Sequence, residues 1–101
     1  MTDAEKIEAK IRAQLDKPTG KLTQTDLENV TELWLSDAKI TNISPLAECT
    51  QLQRLTLTHN QISDVSALAG LTQLRRLEIY DNQISDISAL ARMTKLLRLE
   101  I

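Results

Sequence analysis

The residues best suited to chemistry are one imidazole and two carboxylates that recur at a spacing of 22 residues. Asp37, His59 and Asp81 share one position of a repeating pattern, so they would lie side by side wherever the repeats stack. Two carboxylates flanking an imidazole could hold a divalent cation weakly. Zinc sites are usually four-coordinate, and the pattern shows no fourth ligand. We therefore predict no metal site here and interpret His59 as a surface residue.

No other set of residues has the pattern of a catalytic centre. Cys49 shares its repeat position with Leu71 and Met93, which indicates a small buried hydrophobic residue and not a nucleophile. Gly20 and Gly70 are the only glycines, so a glycine-rich phosphate loop is close to excluded. The sequence also lacks a Ser-His-Asp order and a zinc motif. We predict a protein that is not an enzyme and needs no cofactor.

The strongest pattern in the chain is a leucine repeat with a period of 22 residues. It runs through three complete copies and the start of a fourth, where the chain reaches residue 101. Such a period is typical of a repeat protein, in which no single copy can bury its apolar residues alone. Two columns of the repeat are apolar in every copy, Val30/Leu52/Leu74/Leu96 and Leu33/Leu55/Leu77/Leu99.

Alternation within each copy predicts one short strand per repeat. In the segment 55–57, Leu, Thr and Leu alternate, which places leucine inside and threonine outside. Asn60 and Asn82 follow their strands, where a buried amide can bond the backbone of the turn; Ala38 takes this position in the first repeat. The Ser/Asp-rich segments 63–68 and 85–90 are too short for long helices, so we expect turns and one-turn helices on the outer face.

The N-terminal segment has a different period. Ile7, Ile11 and Leu15 fall on one face of a helix predicted over residues 3–15. Thr2 or Asp3 is the expected N-cap.

Pro18 and Gly20 are expected to end this first helix. A second short helix is predicted to start at Thr23, with Asp26 three residues later as a capping-box partner. We expect residues 1–29 to form a helical N-terminal cap and residues 30–101 the repeats, in one structural domain.

The repeat Leu-x-x-Leu-x-Leu-x-x-Asn-x-Ile resembles bacterial leucine-rich repeats of the 22-residue class. Residues 4–7 and 23–33 are similar to the N-terminal cap of the internalin family. The resemblance implies an α/β repeat solenoid. It would be a right-handed superhelix with a parallel concave β-sheet, short 3₁₀ turns on the convex side and an α-helical cap. It also implies a role in protein binding.

Solvent-facing strand positions would form columns across the sheet, about 4.8 Å apart. These columns are Glu32/Arg54/Arg76/Arg98, Trp34/Thr56/Glu78/Glu100 and Ser36/Thr58/Tyr80. One interpretation is a solvated face, on which Glu78 and Glu100 partly neutralise the arginines from diagonal positions. Exposed pairs of this kind contribute about 0–1 kcal/mol each.

The other interpretation is a recognition surface, because Arg, Trp and Tyr are enriched in interface hot spots. Trp34 and Tyr80 are the only aromatic residues, and the sequence leaves open whether Trp34 meets a partner or packs on the cap. We favour a non-catalytic module that binds a protein or peptide on the concave face. The predicted binding residues are Trp34, Arg54, Thr56, His59, Arg76, Glu78, Tyr80 and Arg98.

Composition argues against two classes of partner. The 14 acidic and 12 basic residues give a net charge of -2, which is unfavourable for nucleic acid. No apolar run approaches the roughly 20 residues of a membrane span. The first residues lack the pattern of a signal peptide. The expected location is therefore the cytoplasm, or the exterior if the sequence is a fragment of a secreted parent.

The last strand supports an alternative function. Leu96, Leu99 and Ile101 would form an apolar edge with unpaired backbone groups, and terminal repeats normally carry a polar cap. This pattern predicts a homodimer through the C-terminal edge. The alternative is thus a structural, self-assembling unit, which includes an engineered or truncated piece of a longer solenoid.

Overall fold

Four three-residue strands pair in parallel, in the order in which they occur along the chain. They belong to a computed structural model that describes residues 1–101. The repeat period places each strand beside the one before it, 22 residues earlier, so the sheet grows by one strand per repeat. The strands are β1 (Glu32–Trp34), β2 (Arg54–Thr56), β3 (Arg76–Glu78) and β4 (Arg98–Glu100).

In β1, β2 and β3 the middle residue points into the core. Leu33, Leu55 and Leu77 are in register and buried, while the residues on either side of them face outward. Burying a leucine stabilises the fold by about 1.5–3 kcal/mol relative to leaving it exposed. The core is aliphatic apart from Cys49 and Met93, because neither aromatic residue enters it. The predicted α/β repeat solenoid is thus confirmed.

An asparagine beyond β2 links two turns of the solenoid. Asn60 is buried, and its Nδ2 donates to the carbonyl oxygens of Leu35 (2.9 Å) and Leu57 (2.8 Å). Its Oδ1 accepts from the backbone N–H of Ile40 at 3.0 Å. Asn82 repeats this arrangement one turn later and is partly exposed.

The outer face carries three short 3₁₀ helices, Ser44–Glu48, Ser66–Leu68 and Ser88–Arg92. The carboxylates of Asp64 and Asp86 accept the backbone N–H of the serine two residues later, each at 2.9 Å. These backbone hydrogen bonds lower the pKa of both carboxyl groups. The Ser/Asp-rich segments therefore supply the local hydrogen bonds that start the second and third 3₁₀ helices, and Asn42 accepts the equivalent hydrogen bond from Ser44 before the first.

Helix α1 (Asp3–Leu15) packs against β1 and the first 3₁₀ helix. Thr2 is its N-cap and forms a capping box with Glu5. Ile7 and Ile11 are buried on the face that the period predicted. The left-handed residue that ends α1 is Asp16, at φ 53°, not the expected Gly20 four residues later.

Two polar contacts attach α1 to the first repeat. The carboxylate of Asp3 accepts the backbone N–H groups of Thr41 (3.0 Å) and Asn42 (2.9 Å). The ammonium of Lys6 donates to the carbonyl oxygen of Ala38 at 2.8 Å. The hydrogen bonds from Asn42 and Thr41 lower the pKa of Asp3.

Helix α2 (Gln24–Glu28) begins after Thr23, which forms the expected capping box with Asp26. Lys17, between the two helices, donates to Asp26 at 2.7 Å. Together α1 and α2 lie at the end of the solenoid beside β1.

One position differs from the expected outward-facing columns. Thr58 is 3% exposed, and its hydroxyl has no hydrogen-bond partner. It lies beyond the end of β2, where the chain bends into the turn at His59, which has a φ of 58°. Ser36 and Tyr80, at the same repeat position, are exposed, so the outward-facing column is interrupted at Thr58 alone.

Candidate functional site

The outward residues of the four strands form one continuous surface, which we call the concave face. Its two central columns are Glu32/Arg54/Arg76/Arg98 and Trp34/Thr56/Glu78/Glu100, in the predicted register. Trp34 is 52% exposed, so about half of this large side chain remains open to solvent.

Arg76 and Arg98 each form a hydrogen bond with a glutamate of their own strand. Nε and Nη2 of Arg76 donate to Oε1 of Glu78 at 3.0 and 2.8 Å. Nε of Arg98 donates to Oε1 of Glu100 at 2.7 Å, and this hydrogen bond raises the pKa of Arg98. The neutralisation is therefore along the strand, between residues two apart, and not diagonal as the sequence predicted. Residues two apart on a strand share a face, which makes this pairing possible.

Arg54 lacks the equivalent partner. Two residues further along β2 is Thr56, where β3 and β4 carry glutamates. The nearest carboxylate is Glu32, whose Oε1 lies 3.7 Å from Nε of Arg54. This distance exceeds that of a hydrogen bond. The Arg54 side chain is 60% exposed, against 43% for Arg76.

A shallow hollow opens between the aromatic and the basic residues of the concave face. It has a volume of about 280 Å³ and is lined by Trp34, Arg54, Thr56, Arg76 and Glu78. This volume lies near the lower end of ligand pockets, about 300–1,000 Å³, so it suits a side chain or two and not a large cofactor. Five of the predicted binding residues thus meet at one place.

The remaining predicted residues lie to one side of the hollow or at the edge of the sheet. His59 and Tyr80 contact each other edge to face, with ring centroids 5.6 Å apart. The imidazole of His59 also contacts the carboxylate of Asp81. Arg98 lies on β4, the edge strand.

The column Asp37, His59 and Asp81 has a backbone role that the sequence analysis missed. All three residues are left-handed, with φ of 56°, 58° and 59°. Aspartate and histidine are among the few residue types that adopt this conformation readily. No group of three or more His, Cys, Asp or Glu side chains is arranged to hold a metal ion. The recurring residue types are therefore explained by the turn.

Cys49 lies in the core with no exposed surface. Burial raises the pKa of its thiol to about 11, and the negative charge of Glu48 adds to this effect. A thiol with such a pKa is protonated at neutral pH and is a poor nucleophile.

The edge beside β4 exposes apolar side chains. Leu99 and Ile101 are 38% and 61% exposed, whereas Leu96 is partly buried against the core. Leu97, which was not among the predicted edge residues, is 84% exposed. It occupies the column of Thr31, Gln53 and Arg75, so its apolar side chain breaks a polar pattern.

The longest helix, α1, has 13 residues, and no helix is long and apolar enough to cross a bilayer.

Known proteins and solved structures resemble the chain in sequence and in fold. A family model described as leucine-rich repeats in two copies matches residues 28–70. The structure of an internalin, InlF, from Listeria monocytogenes superposes with a TM-score of 0.86 and 36% sequence identity, over 97% of this chain. The chain is an internalin-like leucine-rich repeat protein. It spans 31% of the InlF chain, and that match includes the helical cap as well as the repeats.

Two further solved structures resemble the internalin-like chain. Internalin C2 from L. monocytogenes has a TM-score of 0.65 and 21% identity, over 98% of this chain and 76% of that one, and supports the fold alone. A structure of the CBM51-2 and INT domains of ZmpB from Clostridium perfringens has a TM-score of 0.63 and 28% identity. That match covers 73% of this chain and 16% of the other. Among curated proteins there is no significant sequence match.

Proposed function

We propose that the internalin-like chain is a non-catalytic interaction module that binds a protein or peptide on its concave face. The observation that carries this proposal is the exposure of both aromatic residues, Trp34 at 52% and Tyr80 at 41%. Large aromatic side chains are common anchors of protein interfaces. Burying them against a partner removes a large apolar area from water.

The fold itself does not require a tryptophan at this position. The residues in register with Trp34 are Thr56, Glu78 and Glu100, which are polar, and the same sheet forms around them. An apolar side chain that the fold does not need and the solvent disfavours is best explained by a partner.

The other residues of the surface complete a mixed interface. The Arg54 and Arg76 guanidinium groups flank the hollow beside Trp34. The remaining binding residues that we propose are Thr56, His59, Glu78, Tyr80 and Arg98.

A random peptide library displayed on phage tests the location of binding. Clones selected on the immobilised chain are rescreened against Trp34→Ala and Arg54→Glu, with Arg92→Glu as a control. Arg92 is exposed on the last 3₁₀ helix, so the control makes the same charge change on the convex side. We expect most clones to bind the control and to lose binding to the two concave-face variants. Clones indifferent to both concave-face variants would place recognition elsewhere.

A second candidate function is self-assembly through the C-terminal edge. The exposure of Leu97, Leu99 and Ile101 favours it, because a second copy would cover these side chains and pair the open side of β4. Its test is the oligomeric state of the 101-residue polypeptide.

We infer an extracellular site of action if the chain belongs to a secreted parent, as the internalin resemblance implies, and a cytoplasmic one otherwise. Localising an epitope-tagged copy of the parent gene product separates the two.

A further inference from the structure

We propose that the partner of the concave face presents a carboxylate to Arg54, next to an apolar side chain that packs on Trp34. This inference rests on the proposed function of that face and specifies the chemistry of its ligand: an aspartate or glutamate flanked by an aromatic or aliphatic residue.

The three outward arginines provide an internal comparison. Arg76 and Arg98 each bind the carboxylate of a glutamate two residues later on the same strand. Only in β2 is this glutamate replaced, by Thr56. The N–H donors of Arg54 therefore remain free, whereas those of Arg76 and Arg98 bind a glutamate of the same strand. The threonine side chain is shorter than glutamate, so the position of the missing carboxylate stays open.

The surroundings of Arg54 do not fill that space. Glu32 lies on the neighbouring strand, with Oε1 at 3.7 Å from Nε of Arg54. Glu78 also lines the hollow, but its carboxylate accepts hydrogen bonds from Arg76. Arg76, in register on the other side, is cationic. A carboxylate from outside would thus meet two guanidinium groups, one of them already bound to Glu78.

The neighbouring aromatic residue defines the second half of the ligand. Trp34 is in register with Thr56, so its ring flanks the position where the carboxylate is missing, and both residues line the 280 Å³ hollow. An acidic side chain alone would leave the indole exposed. A peptide with an acidic residue beside an apolar one satisfies both groups.

The repeat itself supplies the decisive variant. Thr56→Glu gives β2 the Arg-x-Glu pattern of β3 and β4, so the fold accommodates the change. The new carboxylate accepts hydrogen bonds from Arg54, which is then no longer free to bind a carboxylate of the partner. Arg92→Gln, on the convex side, serves as the control for loss of a positive charge.

The experiment uses peptides from the phage selection, synthesised with their acidic residues intact or replaced by the matching amides. Binding to the full 101-residue chain is measured by fluorescence anisotropy, and circular dichroism verifies the fold of each variant.

We expect the selected peptides to be enriched in acidic residues beside apolar ones. Thr56→Glu and Arg54→Gln should each weaken binding about tenfold or more, as should amide replacement in the peptide, because hydrogen bonds between charged groups are the strong ones. Arg92→Gln should bind as the unmodified chain does.

Two results would overturn the inference in different ways. Peptides that depend on Trp34 but bind Thr56→Glu and Arg54→Gln normally would leave the concave face as the binding surface and remove the carboxylate from its ligand. Peptides that bind independently of Trp34, or a selection that yields no binder, would contradict the proposed function together with this inference.

Discussion

The side-chain oxygen of Asn60 accepts a hydrogen bond from the backbone N–H of Ala38, one repeat earlier, at 3.1 Å. The same amide group also bonds the carbonyl oxygens of Leu35 and Leu57. One buried side chain thus satisfies backbone groups of two consecutive turns, which no apolar residue of similar size could do. Its loss is therefore expected to affect the stacking of repeats and not a single turn.

Asn60→Ala is predicted to lower the free energy of unfolding by about 2–4 kcal/mol, because it leaves several buried backbone groups unpaired at about 1–3 kcal/mol each. Asn82→Ala is the matched comparison. It should cost less, since Asn82 is partly exposed and water can replace its hydrogen bonds. Urea denaturation of both variants measures the difference. Equal losses would show that burial does not determine the contribution of the asparagine.

The left-handed backbone at His59 leads to a second prediction. His59→Val should destabilise the fold by about 1–2 kcal/mol, because a β-branched residue is strained at a φ of 58°. His59→Asn should be tolerated, since asparagine adopts this conformation readily. Thr56→Val is the control, because it introduces valine into a strand, where a β-branched residue is not strained. Thermal unfolding followed by circular dichroism gives the comparison; a neutral His59→Val would contradict the assigned backbone role.

The sequence was sufficient for those features that depend on side-chain period. A repeat of 22 residues with an apolar residue at alternate strand positions fixes which residues pair, so the register of Leu33, Leu55 and Leu77 followed from it. The capping box of Thr23 and Asp26 also followed, because a capping box is a local pattern, whereas the sequence left the N-cap of α1 open between Thr2 and Asp3. Each of these features needs only neighbouring residues or one repeat.

The details of the concave face could not be predicted in the same way. Glu78 could reach an arginine on its own strand or one on a neighbouring strand. The repeat period does not show which of these two arginines it binds, because both are long, flexible side chains at a similar distance. The burial of Thr58 could not be predicted from the repeat, because Ser36 and Tyr80 share its position and are exposed. The column at Asp37, His59 and Asp81 is visible in the sequence as a recurring set of polar residues, but residue type alone does not distinguish a left-handed turn position from an ordinary surface position.

Acid should weaken the attachment between α1 and α2. The hydrogen bond from Lys17, followed by that from the backbone of Thr23, lowers the pKa of Asp26 from 3.8 to about 2. The carboxylate is therefore favoured in the folded state. Its contribution to stability is fully present above about pH 4 and is lost as the pH falls through 2.

Asp26→Asn is predicted to melt at a lower temperature than the unmodified chain at pH 7, and the two should converge at pH 2. Glu28→Gln, on the same helix, is the control, because Glu28 has only a 3.3 Å hydrogen bond from Gln24 to lose. Melting curves at pH 7, 4 and 2 provide the test. A difference that is the same at every pH would mean that the charge of Asp26 is irrelevant.

Cys49 is predicted to resist modification in the folded protein. A thiol pKa of about 11, against 9.0 for an ordinary thiol, leaves about 100-fold less thiolate at pH 8, and burial restricts access further. Iodoacetamide should therefore label the native chain at least about 100-fold more slowly than the urea-unfolded chain. Rapid labelling of the native protein would show that the core around Cys49 opens.

The apolar edge beside β4 leads to the last prediction. In solution the 101-residue polypeptide should have a concentration-dependent mass that approaches twice its 11.4 kDa, because contact between two copies would cover Leu97 and Ile101. Leu97→Gln restores the polar residue type found at Gln53 in the same column, and Ile101→Lys adds a charge at the edge. The double variant should be a monomer by light scattering after size exclusion, with an unchanged circular dichroism spectrum.

Arg92→Gln, on the convex side, should associate like the unmodified chain. A monomer at all concentrations for the unmodified chain would exclude self-assembly and leave the concave face as the functional surface, and a dimer that persists in the double variant would place the contact elsewhere.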